Sequence, residues 1–378
     1  MGVPVSGRCD PPFEAVRQAF EDNFAERGEV GAAVCVIRGG ETVVDLVGGW
    51  ADGARSRPWT PGTIAGFYSA GKGLLALLLL RLVDAGLVGL DDPIASVWPE
   101  FAAAGKEGAT IRHALSHRAG LPAIRERLTD EDLFDWSRMT AALATAEPWW
   151  PPGERAVYHT NTYGHLVGEL VRRVGGSMPG DALRELAEPL DADVWFGVPA
   201  AEQQRCADVV WAPTHVLPAF DFDTLSGDQL LNALSYANPP GYSSLGLMNT
   251  TRWRSIPLGS TAGHGSASGL ARVYAALAVP DRLLSADLLR EATTVQVSGP
   301  CPILGDDFTC GLGFTPTTAR RPLGPNPRSF GHFGTGGALG FTDPDEVIGF
   351  GYVMNHVVPR WQSSRNRALI DAVYSSIA

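Results

Sequence analysis

Lysine is almost absent from this chain: Lys72 and Lys106 stand against twenty-eight arginines. A guanidinium stays protonated in a protein, whereas an ammonium can lose its proton when buried and act as a base, so a lysine kept where arginine is the rule marks position 72 as a chemical candidate. Cysteine is scarce too. The five (Cys9, Cys35, Cys206, Cys301, Cys310) include no Cys-x-x-Cys pair. They read as free thiols in a reducing compartment, with Cys301 and Cys310 spaced so that they could bridge a loop. The apolar run Leu74–Leu80 is far below the 18 or so residues that cross a bilayer. A formal charge of −11 repels nucleic acid and anionic membrane, which excludes both as main partners. No basic segment followed by an apolar stretch opens the chain, which predicts a cytoplasmic protein. Met1-Gly2 to Ser6 matches only the short formal lipidation pattern.

Several chemistries are missing their signatures. Without a Gly-x-Ser-x-Gly elbow a standard α/β-hydrolase is disfavoured. Gly71-Lys72-Gly73 has neither the leading glycine nor the following hydroxyl of a phosphate-cradling loop. His113 and His117 have the i, i+4 spacing of a helical zinc pair, but Ala114 occupies the place where a glutamate would act as base. We expect no metal and no cofactor. At 378 residues and 45% hydrophobic content, the chain can hold one large domain or two closely packed ones.

What is present begins with Ser69, three residues before Lys72, at the mouth of the apolar run. Side chains at i and i+3 share a helix face about 5–6 Å apart at Cβ, which lets the amine approach the hydroxyl. A serine becomes a nucleophile when a neighbouring base takes its proton, and the N–H groups of a helix N-terminus favour the negative charge that results. A second candidate is Tyr158, in Tyr158-His159-Thr160-Asn161-Thr162-Tyr163, just before a predicted helix. Beside a protonated Lys72 its phenol would fall below the ordinary value of about 10 and serve as a proton shuttle; His159 and Tyr163 are rivals for that role. The third is Gly331-His332-Phe333-Gly334-Thr335-Gly336-Gly337. Its four glycines let backbone approach a ligand, its N–H groups can hold an oxyanion, and His332 can orient the substrate or the Tyr158 hydroxyl.

Periodicity sets the frame. A helix is predicted over Pro12–Glu26, and strands over Gly31–Arg38 and Thr42–Trp50, joined by Gly39-Gly40-Glu41. Helices follow near 69–86, 110–117, 130–146 and 160–174. The stretch 190–262, rich in Pro, Gly, Asn and Trp, reads as long loops around a pocket. Helices near 267–279 and 284–292 precede strands at 309–315, 328–333, 337–342 and 346–355, and a helix at 362–376 ends the chain. Strands at both ends with helices between them predict an antiparallel sheet assembled from the two ends, with a helical insertion.

These three segments, in this order, resemble the serine β-lactamase and penicillin-binding-protein superfamily, and most closely the class C β-lactamase-like carboxylesterases called family VIII. Ser69-Ala70-Gly71-Lys72 resembles the nucleophile motif, Tyr158-His159-Thr160 stands at the Tyr-x-Asn position, and His332-Phe333-Gly334 stands at Lys-Thr-Gly. Leu115-Ser116-His117-Arg118-Ala119-Gly120-Leu121 and Asp91-Asp92-Pro93-Ile94 also look like family signatures. The resemblance implies an α+β, β-lactamase/transpeptidase-like fold: an α/β sheet domain from 1–52 and 262–378, a mostly helical domain over 53–261, and an active site in the cleft between them. It also implies Ser69, Lys72 and Tyr158 as catalytic residues, the N–H groups of Ser69 and Thr335 as oxyanion donors, and His332, Gly334 and Asn161 as substrate contacts. His332 replaces a permanent charge with a group largely neutral at pH 7, and Thr160 replaces the usual Asn. Both departures favour a carboxylesterase acting on small-molecule esters. The alternatives are a transacylase passing the acyl group to an amine or alcohol, an amidase of the β-lactamase or D-aminopeptidase kind, and a non-catalytic binding module.

Overall fold

The computed structural model describes residues 3–212, 220–243, 247–358 and 361–377. Met1-Gly2, where the lipidation pattern begins, and parts of the predicted loop stretch lie outside them.

Both ends of the chain build one sheet. From the N-terminal end come β1 (Val5–Cys9), β2 (Gly31–Arg38) and β3 (Glu41–Gly49); from the C-terminal end come β4 (Thr315–Pro316), β5 (Phe330–Phe333), β6 (Leu339–Asp343) and β7 (Ile348–Met354). Their order is β1-β3-β2-β7-β6-β5-β4, and every neighbouring pair is antiparallel. The β2–β3 hairpin turns through Gly39 and Gly40, with φ of 58° and 88°; two consecutive positive φ values suit the right-handed strand twist and favour glycine. β7, buried along its whole length, pairs with β2 from Ile348↔Arg38 to Met354↔Ala32 and so joins the two ends of the chain.

The main helices, in chain order, are α1 (Glu14–Glu26), α2 (Gly71–Asp84), α3 (Thr162–Gly175), α4 (Gly227–Ala237), α5 (Ala267–Leu277) and α6 (Ser364–Ser375). α5 packs on β7, and α1 packs on α6. α2 is apolar around most of its circumference and buried from Gly71 to Leu80, as suits a helix inside a core. α3 packs against it. The fold is the expected sheet-and-helix architecture, but two elements differ. α4 is a helix inside the predicted loops, with Leu231 and Leu234 on its buried side. Val297–Cys301 and Asp306–Cys310 form a separate two-stranded hairpin where one strand over 309–315 was expected. Cys301 and Cys310 are both free thiols, not a bridge; the hairpin register sets Cys301 opposite Asp306 and Cys310 opposite Val297. No helix among the described residues is long and apolar enough to cross a membrane.

One buried ion pair ties the sheet to α6. Arg365 Nη1 lies 3.1 Å from Glu29 Oε1, with the side chains 2% and 0% exposed. The same guanidinium donates to the carbonyls of Arg27, Gly28 and His356, and Tyr352 donates its hydroxyl to Glu29. Removing one partner leaves a buried charge uncompensated, so Arg365→Ala should lower unfolding stability by about 3–5 kcal/mol in urea denaturation.

Candidate active site

Ser69 occupies a 3₁₀ turn, Tyr68–Ala70, that leads into α2. Tyr68 has φ +49°, a left-handed backbone that costs a non-glycine residue roughly 1–2 kcal/mol. The chain therefore turns sharply just ahead of the serine. Gly71, at the start of the helix, has no room for a side chain: a Cβ there would stand 2.2 Å from the Gly259 carbonyl oxygen. That close approach brings Ser260 against the start of α2.

Lys72 Nζ lies 2.9 Å from Ser69 Oγ and donates to the Ser260 carbonyl at 3.1 Å. The lysine is fully buried, and burial alone drives its pKa well below the ordinary 10.5. A neutral amine there keeps one N–H on Ser260 and turns its lone pair toward the serine proton. The other lysine is placed differently. Lys106 Nζ donates to the carbonyls of Ala103 and Ala146 at 2.7 and 2.5 Å, holding two backbone segments together away from Ser69.

Tyr158 completes the cluster. Its ring centroid is 4.7 Å from Lys72 Nζ, and its buried hydroxyl lies near that of Ser69 without a regular hydrogen bond among the described residues. The expected downward pKa shift is reversed: burial holds the phenol well above 10, with the Ser69 hydroxyl pulling the other way. The physical reason is burial of the phenol itself, which disfavours its charged form. The two rivals are structural. His159 uses Nδ1 on the Val157 carbonyl at 2.7 Å and accepts the Leu121 N–H at Nε2 at 3.2 Å. Tyr163 stacks on His117 at 4.6 Å and donates to the Leu115 carbonyl.

The third segment reaches the same place from the sheet. His332, next to the last residue of β5, has its ring 6.4 Å from that of Tyr158. Its Nδ1 lies 2.8 Å from the Phe333 carbonyl, which fixes the proton on Nδ1 and leaves Nε2 an acceptor. Burial first, and Lys72 second, push its pKa down to about 3. Gly334 is required by proximity, since a Cβ there would meet the Phe67 carbonyl oxygen at 2.2 Å. The β5 end is thereby pressed against the turn that carries Ser69. Neither the Ser69 N–H nor the Thr335 N–H donates to a backbone carbonyl among the described residues, so both remain available to a ligand.

Asn161 is not arranged as expected. Its Nδ2 donates to the Ser235 carbonyl at 2.7 Å and its Oδ1 accepts from Thr261 Oγ1 at 2.7 Å; its own carbonyl accepts from Ser260 Oγ at 2.9 Å. Both ends of the amide thus help tie the 260–261 loop to α4, with one Nδ2–H and one Oδ1 lone pair left over. The hydroxyl of Thr160 faces that of Tyr236 on α4 instead. The supposed zinc pair is likewise dispersed, because His113 Nδ1 accepts the Thr110 N–H in a helix cap while His117 Nδ1 accepts the His159 N–H.

Sequence reasoning missed Ser260, whose carbonyl holds the Lys72 amine, and Trp361, whose ring packs on Tyr158 at 4.9 Å and on His332 at 6.0 Å. The only signal for Ser260 was the run of glycines around it, Gly259, Gly263 and Gly265. Around Tyr158 a second apolar cluster forms, with Leu231 and Leu234 from α4, Ile303 and Phe308 from the hairpin, and Trp150. Ser69 itself is only 5% exposed.

The Beta-lactamase family model matches residues 16–374. The chain is 32% identical to Esterase/beta-lactamase LipL of Mycobacterium tuberculosis over 372 residues, covering 94% of this chain and 84% of that protein. It is also similar to the solved structure of a family VIII carboxylesterase, at 36% identity and TM-score 0.90 over 99% of this chain and 100% of that one. A penicillin-binding protein homolog from Caulobacter crescentus aligns at 38% identity and TM-score 0.89, again over 99% of this chain and 100% of that one. The chain belongs to the Beta-lactamase family and is a serine hydrolase.

Proposed function

We propose that the protein is a carboxylesterase that works by two-step acyl transfer through Ser69, in the cleft between a sheet domain (1–52 and 262–378) and a helical insertion (53–261). Lys72, as a neutral amine, takes the Ser69 proton; Ser69 Oγ attacks the ester carbonyl; the N–H groups of Ser69 and Thr335 hold the oxyanion. Tyr158, kept as a neutral phenol, passes a proton to the leaving alkoxide. Water then repeats the steps in reverse. The observation that carries this reading is the 2.9 Å approach of a fully buried, unpaired lysine amine to the serine hydroxyl. Small neutral esters suit the site better than substrates bearing a carboxylate, because His332 offers a lone pair where a cation would be needed.

A second reading, acyl transfer to an amine or alcohol, is favoured by the burial of Ser69, which restricts water. Intact-mass spectrometry after mixing with a p-nitrophenyl acyl ester separates the two. Hydrolysis gives an adduct mapping to Ser69 that clears in water; transfer gives one that persists until an amine or alcohol is added and then appears in the product. No adduct and no p-nitrophenol would discard both and leave a binding module.

A further inference from the structure

Beside the catalytic cluster lies a cavity of about 210 Å³, with Phe308, Phe333 and Trp361 as aromatic walls and Thr309 and Arg321 among its polar lining. Two of these walls also touch the proton-handling tyrosine: Phe308 and Trp361 lie 5.1 and 4.9 Å from the Tyr158 ring. The third follows His332 directly and accepts its Nδ1–H. The cavity thus shares two aromatic walls with Tyr158, the group that hands a proton to the alkoxy oxygen of an ester in the proposed reaction.

We propose that this cavity is the leaving-alcohol subsite, and that it takes a neutral alcohol about the size of a substituted aromatic ring. An apolar cavity of about 150 Å³ accommodates benzene, so the larger volume here leaves room for one ring and a substituent. Arg320 and Arg321 both pair with Asp306, at 2.6 and 2.7 Å, and the Asp307 carboxylate stands in the same lining, so two guanidinium charges meet two carboxylates; Arg321 also donates to the Asp307 carbonyl at 3.0 Å. Its guanidinium lies 5.3 Å from the Trp361 ring, completing a flat, neutral wall. The inference rests on the esterase reading and on Tyr158 as donor. In the step concerned the bond from Ser69 Oγ to the carbonyl carbon forms and the bond from that carbon to the alkoxy oxygen breaks. The serine proton reaches the leaving oxygen by way of Lys72 and Tyr158. By microscopic reversibility an alcohol acceptor enters the same cavity.

The test uses two esters of one acid, methyl acetate and 2-naphthyl acetate, which give the same acetyl-enzyme from alcohols of different size. Ala319→Trp and, from the opposite wall, Ser298→Trp narrow the cavity at exposed positions. In each variant the acylation rate with the naphthyl ester, relative to methyl, should fall at least about tenfold against the parent, while the deacylation rate of the acetyl-enzyme follows the parent's. A change in deacylation would place the acyl group in this cavity and overturn the proposal. An unchanged ratio in both variants would overturn it as well. A parent that never acylates on Ser69 would sink the esterase reading itself, a result distinct from either.

Discussion

Ser69→Ala should abolish acyl-enzyme formation and lower kcat on a p-nitrophenyl ester by about 10⁴–10⁶-fold, the scale on which removal of a catalytic serine acts. The loss should fall on kcat rather than KM. The alanine keeps the strained turn at Tyr68, the N–H at position 69 and the Gly334 contact with Phe67, so substrate binding survives while covalent chemistry does not. The fold should hold too: among the described residues the hydrogen bonds of Ser69 Oγ are the 2.9 Å contact with Lys72 and a long 3.5 Å one with Ser260. Steady-state kinetics with intact mass checks this. Activity near the parent's would remove Ser69 from the mechanism.

Much of the fold was legible because its strongest signals were local. β2 runs over the residues its apolar pattern predicted, and Gly39-Gly40 announced the turn after it. α2 was readable from Leu74–Leu80. The site was legible in part, since Ser69 and Lys72 are one helical turn apart and i, i+3 geometry converts that spacing into contact. What stayed hidden depends on distant packing. Ser260 reaches Lys72 across 188 residues, and no periodicity records that. α4 escaped notice because Gly227 and two asparagines, Asn232 and Asn238, look like loop composition. Tertiary contacts override that weak propensity, here through Asn232 and Tyr236 donating to the carbonyls of the hairpin tip. The direction of the Tyr158 shift was misread for a related reason. Sequence shows that a lysine is near but not how deeply the phenol is buried, and that burial sets the direction of its shift.

Lys72→Arg should cost about as much as Lys72→Met, roughly 10²–10⁴-fold in kcat/KM, the range associated with a general base. If position 72 only supplied positive charge, arginine would preserve activity. If it supplies a lone pair, arginine fails, because a guanidinium remains protonated throughout the accessible pH range. The pH profile gives an independent check. For a base, the active form is the deprotonated one, so parent kcat/KM should rise with pH through the Lys72 pKa, which burial places well below 10.5. The histidines close to Ser69 do not account for such a limb. His332 and His159 are pushed down to about 3 and about 4, and His117 well below 6.5. Tyr158, held well above 10, should give no falling limb until alkaline pH. Both variants should therefore lose the rising limb together with the rate. A limb that survives in Lys72→Arg would assign the ionisation to another group and the base role with it.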